Sequence, residues 1–207
     1  MKNIFHSPKV GAGKSVAKRL VILSVFFSLI FSACGGEETA NGTEENGDNA
    51  YTYTYKTAEF QMEVLKDWEV IDSFTSEYPD ELRVAFRSKV KDSIFTPNIT
   101  VLVEENTGNS ASYDFAQRKL SDHEDTLLNY ELLGQETVTL TVAGAESKTI
   151  LSTFEGKNET AGPTLEFMQV TLTEGEDAWI VTASTRPGQD EFLTEQMDAM
   201  LRSFTLR

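Results

Sequence analysis

Residues 178–204 read AWIVTASTRPGQDEFLTEQMDAMLRSF, and this stretch decides the fold class. Its first part, Ala178 to Ala183, is a short run of aromatic, β-branched and small residues, which suits a strand. Pro187-Gly188 interrupts the pattern. From about Gln189 to Phe204 the period changes: Leu193, Met197, Met200, Leu201 and Phe204 fall at i, i+4, i+7, i+8 and i+11. That spacing puts them on one helical face. The methionines in it read as core filler, not metal ligands. A strand leading into an amphipathic helix predicts a helix laid on a sheet.

Upstream, the sheet is legible as period-two alternation in Phe60 to Val64, Leu82 to Phe86, Ile99 to Val103 and Thr137 to Val142. Further strand-like runs are Lys148 to Phe154 and Leu165 to Leu172. Ala143-Gly144 and Glu174-Gly175-Glu176-Asp177 read as hairpin turns between them. A second helix is expected from about Ser112 to Leu127, burying Tyr113, Phe115, Ala116 and Leu120. Strands, helix, strands, helix is the order of an α+β domain. The expected sheet is antiparallel, of about six or seven strands. At about 157 residues, 51–207 is long enough for one domain with a proper core.

The N-terminal quarter has another character. Lys2, Lys9, Lys14, Lys18 and Arg19 precede an apolar run from Leu20 to Ala33, with no acid among them. The run is about fourteen residues, where a spanning helix needs roughly 20. A basic segment and a short apolar run make a secretory signal. Small Ser32 and Ala33 then lead to Cys34, the chain's one cysteine. Phe31-Ser32-Ala33-Cys34 resembles the lipobox of bacterial lipoproteins, with Phe31 where leucine is usual. By that resemblance Cys34 becomes a diacylglycerol thioether and the first mature residue, anchored to a bacterial membrane by two or more acyl chains. An ordinary signal peptide with a free thiol, and an uncleaved anchor helix, are the alternatives. Gly11-Ala12-Gly13-Lys14-Ser15 imitates a phosphate-binding loop. That motif needs a glycine where Pro8 stands, and a strand before it.

Removing residues 1–33 leaves 13 basic against 33 acidic residues, a formal charge of −20. Such a surface repels nucleic acid and anionic headgroups, so any hold on the membrane falls to the acyl anchor. Residues 34–50 carry Glu37, Glu38, Glu44, Glu45 and Asp48 and, after Cys34, no large apolar side chain. They read as a self-repelling tether. The organisation expected is therefore signal peptide 1–33, acidic tether 34–50 and α+β domain 51–207.

No catalytic signature emerges. Asp122-His123-Glu124-Asp125 is the densest ionisable cluster and holds the only histidine after residue 33. Adjacent helical side chains diverge, so it reads as a solvated helix end and no metal site. Zinc would want more His or Cys, and no Gly-x-Ser-x-Gly elbow is present. No cofactor is expected. Asn98-Ile99-Thr100 and Asn158-Glu159-Thr160 match glycosylation sequons but read as ordinary strand and turn residues. The polar loop Glu155 to Pro163 reads as a hairpin tip open to a partner.

The order of these elements carries a resemblance. Phe60-Gln61-Met62 leads to Asp67-Trp68, then Phe95-Thr96-Pro97-Asn98-Ile99-Thr100-Val101. Phe115-Ala116 follows, then Gly144-Ala145-Glu146, then Trp179 to Ala183 and a helix ending in Ser203-Phe204. The 51–207 region resembles the PsbP and DcrB-like lipoprotein superfamily, although Lys66 and Asp67 stand where that family carries a proline before the tryptophan. The resemblance implies an α/β/α sandwich and a mostly non-catalytic role, as an extrinsic subunit, an envelope lipoprotein or a small binding protein. The expected function is a membrane-anchored lipoprotein whose domain faces the periplasm or cell exterior and binds a protein partner or small ligand. The alternative is a carboxylate-dependent hydrolase of the cell envelope.

Overall fold

The computed structural model describes residues 51–90 and 93–207. The expected signal peptide 1–33 and the expected tether 34–50 with Cys34 lie outside the described residues. The strands are β1 (Thr52–Lys56), β2 (Phe60–Leu65), β3 (Trp68–Ile71), β4 (Leu82–Ser88) and β5 (Asn98–Glu105). Helix α1 (Ser112–Thr126) follows, then β6 (Leu128–Val142), β7 (Ala145–Lys157), β8 (Leu165–Glu174) and β9 (Asp177–Thr185). Helix α2 (Glu191–Arg202) and β10 (Thr205–Leu206) complete the chain.

All ten strands form one sheet, ordered β1-β2-β10-β6-β7-β8-β9-β5-β4-β3. The expected six or seven strands correspond to β2 and β4 to β9, and the sheet adds β1, β3 and β10. It is also mixed, because β10 runs parallel to β6 while every other pairing is antiparallel. The hairpin turns form where the sequence placed them. Val142 faces Ala145 in register, and Ala143 (φ 48°) and Gly144 (φ 79°) both take the left-handed conformation of a type I′ turn.

Alternate residues of β9 face opposite helices, which makes the molecule a sandwich. Trp179, Val181 and Ala183 join Met197, Met200, Leu201 and Phe204 in the main core. Ile180 and Ala178 instead meet Phe115 of α1. The sheet also curls. Tyr55 of β1 meets Phe86 of β4 edge to face at 5.1 Å, and Phe60 touches Phe204 at 5.4 Å and Trp179 at 5.6 Å. The two ends of the sheet thereby close over α2. Trp68 is buried in the same core.

Helix α2 starts where Asp190 accepts a hydrogen bond from the Phe192 amide at 3.2 Å, an N-cap. It ends at Ser203, whose hydroxyl donates to the Met200 carbonyl at 2.6 Å and accepts from the Glu63 amide at 2.9 Å. One side chain thus closes the helix and ties it to β2. Helix α1 runs within a residue of expectation, but its buried side is Ser112, Phe115, Ala116, Leu120 and His123. Tyr113, expected inside, is exposed. Glu155 to Lys157, expected in the hairpin tip, continue β7. Gly156 has a packing reason: a Cβ there would lie 3.0 Å from Leu127 Cβ, at the point where α1 hands over to β6.

Candidate functional site

The cluster at 122–125 divides. Asp122, Glu124 and Asp125 are exposed, but His123 is only 3% exposed, so the expected solvated helix end is corrected at that residue. Its ring continues the buried stripe one turn beyond Leu120 and stacks on Phe154 at 4.8 Å. Phe154 in turn stacks on Phe167 at 5.3 Å.

Beneath the ring, strand register builds a polar row across the sheet. Thr100 faces Thr182, Thr182 faces Gln169, and Gln169 faces Ser152. The Gln169 amide donates to Thr182 Oγ1 at 2.8 Å, and its carbonyl oxygen lies 3.0 Å from His123 Nε2. With Gln169 accepting, His123 carries its proton on Nε2. Burial pushes the imidazole down to about 4, opposed by the Gln169 hydrogen bond. At neutral pH it is an uncharged structural link between α1 and the sheet. Among the described residues no group of three or more His, Cys, Asp and Glu side chains is placed to hold a metal ion.

The other sequence-derived residues serve packing. Asn98 and Thr100, in the first sequon, are buried on β5. Asn106 was not singled out by the sequence. It donates to the carbonyls of Ser110 and Gly175 and accepts from the Ser110 amide, pinning the start of α1 to the β8–β9 turn.

The surface offers a different kind of feature. Leu128, Leu132 and Leu133 are 44%, 43% and 46% exposed along the first half of β6. This half was not read as a strand in the sequence. Two irregularities explain the omission: register shifts between Leu128 and Glu131 and between Leu132 and Gly134, beside Asn129 at φ 55°. Each bulge breaks the period-two signal. Every residue from Glu131 to Thr137 is exposed, because α1 packs over β7 and β8 and leaves this half of β6 bare. Leucines grouped in the exposed half of one strand are an arrangement suited to contact with another molecule. Among the described residues no helix is long and apolar enough to cross a membrane.

No known protein family matches the sequence, and no curated protein matches it. Solved structures do match in shape. The solution structure of cyanobacterial PsbP (CyanoP) from Synechocystis sp. PCC 6803 aligns with a TM-score of 0.50 at 15% identity, over 85% of this chain and 98% of that one. A Pseudomonas aeruginosa protein of unknown function aligns with a TM-score of 0.45 at 16% identity, over 73% of this chain and 96% of its own. The Saccharomyces cerevisiae Ran-binding protein Mog1p aligns at 0.47 and 15%, over 70% of this chain and 88% of its own. The chain has a PsbP-like α+β fold, as its strand and helix order implied.

Proposed function

We propose that this chain is a lipid-anchored envelope protein whose 51–207 domain is a non-catalytic binding module. The observation that carries the binding reading is the group of exposed leucines on β6, outside the buried core. The domain's one histidine is buried, neutral and engaged with Gln169, so it offers a hydrolase no exposed imidazole to work with. A PsbP-like fold suits an accessory role, and fold alone does not assign chemistry.

The anchor rests on the basic residues 2–19, the short run 20–33 and the small residues before Cys34. The mature chain's formal charge of −20, from 13 basic and 33 acidic residues, favours a covalent anchor over electrostatic adhesion to an anionic bilayer. Residues 34–50 would hold the domain away from the membrane surface.

The test is Cys34→Ser, produced in a bacterium and followed by detergent phase partitioning and intact mass. Wild type should begin at Cys34, carry acyl chains and enter the detergent phase. The variant should carry no lipid and remain unprocessed or soluble. A Cys34→Ser chain that matured normally and still partitioned into detergent would refute the anchor.

A further inference from the structure

Of the fifteen residues of β6, two, Thr141 and Val142, pair with β10. Of the remaining thirteen, Leu128 to Leu140, ten pair with β7 on one side, with Asn129, Tyr130 and Leu133 in the bulges, and none pairs with a strand of the described residues on the other. The sheet has two other open edges, β1 and β3, of five and four residues. Those belong to strands whose side chains close the core, whereas β6 joins the main core only through its second half, at Val138 and Leu140, and is exposed at every residue from Glu131 to Thr137. An exposed edge of this length is a template for another strand.

The charge on this edge is specific. Glu131 faces Glu155 across β6 and β7, and Glu155 faces Glu166 across β7 and β8. Three glutamates thus stand in register on one face, where like charges opposite each other oppose sheet pairing. The ion pairs Arg87–Glu69, Lys119–Glu104, Arg202–Glu136 and Arg202–Asp198 include none of the three. Burial and the neighbouring Glu155 charge hold the Glu166 carboxyl above its ordinary value. Glu136, further along β6, is already paired with Arg202. On the other face of β6, Leu132 is opposite Phe154. An added strand would therefore meet acid on one face and leucine on the other. A second copy of this chain would bring glutamates against glutamates.

We infer that the open edge of β6, from Leu128 to Leu140, docks an extended segment of a partner protein in which basic and apolar residues alternate. The inference rests on the binding-module reading and narrows it to one strand and one partner chemistry. Main-chain hydrogen bonds would extend the sheet. The partner's cations would face Glu131 and the glutamates beyond it, and its apolar side chains would cover Leu132.

The test is amide hydrogen exchange on the full chain in detergent, with a capped peptide of about eight residues alternating lysine and valine. A peptide with glutamate for lysine is the control. The lysine peptide should slow exchange across 128–140 and the control should not. Glu131→Lys should weaken binding by roughly tenfold or more, and Leu132→Asp should abolish the protection. Both positions are exposed, so folding is checked by unchanged protection of β8 and β9. A lysine peptide that leaves β6 unprotected at millimolar concentration overturns the inference, as does equal protection by both peptides. Concentration-dependent protection without peptide would also overturn it, since the occupant would then be a second copy. If the peptide failed while wild type and Leu132→Asp captured the same partner from solubilised envelope, the β6 assignment would fall and the binding reading would stand.

Discussion

His123 is the residue whose chemistry most depends on its surroundings. Its ring lies between Phe154 and the Gln169 amide with almost no exposure. The folded imidazole titrates near 4, against 6.5 for an unperturbed histidine. Above pH 6.5 it is neutral both folded and unfolded, so it contributes no pH dependence. As pH falls from 6.5 towards 4 the unfolded chain takes up the proton first, and stability is lost over that window. The full loss is about 3 kcal/mol for a shift of this size. Denaturant midpoints measured from pH 7 to pH 4 should fall more steeply for wild type than for His123→Gln, which keeps a hydrogen-bonding side chain and removes the titration. Parallel curves would mean that the ring is solvated. The phase of α1 held the clue to this burial, since position 123 lies three beyond Leu120 on the same stripe. The acids on either side of His123 disguised it as surface.

At the scale of elements, α2 is the clearest case of a helix specified by its pattern. Met197, Met200 and Leu201 are buried against the sheet while Glu195 faces solvent. Leu201→Ala should cost roughly 2–5 kcal/mol through the cavity it leaves. Glu195→Ala should change stability by less than about 0.5 kcal/mol. Urea unfolding of the two variants measures the contrast, and equal small effects would show that α2 is not docked. The strands that escaped notice are those with weak patterns. β1 reads Thr-Tyr-Thr-Tyr-Lys, half-buried throughout, so aromatic alternation was its only signal. β3 has four residues and β10 two, too few for any period to register. β10 exists because the end of α2 delivers it between β2 and β6, where the Ala143 amide donates to the Leu206 carbonyl at 3.1 Å. Such a strand is set by tertiary position, not by local sequence.

At the scale of the whole molecule, the sheet and the two helices laid on it were legible because each rests on repeated patterns across many residues. The β6 surface was not, because its bulges break alternation and its edge exists only once the strand order is known. The proposed account joins an expected lipid anchor at Cys34, an expected charged tether and a PsbP-like domain with a bare stretch of β6. Its central claim is that the domain works by binding through β6. The direct measurement places a photo-cross-linking amino acid at Leu132 in one chain and at Glu195 in another, both exposed, and illuminates membranes of the producing cells. The account predicts a discrete adduct with another protein from position 132 and none from 195. No adduct from 132, or the same adduct from both positions, would contradict it.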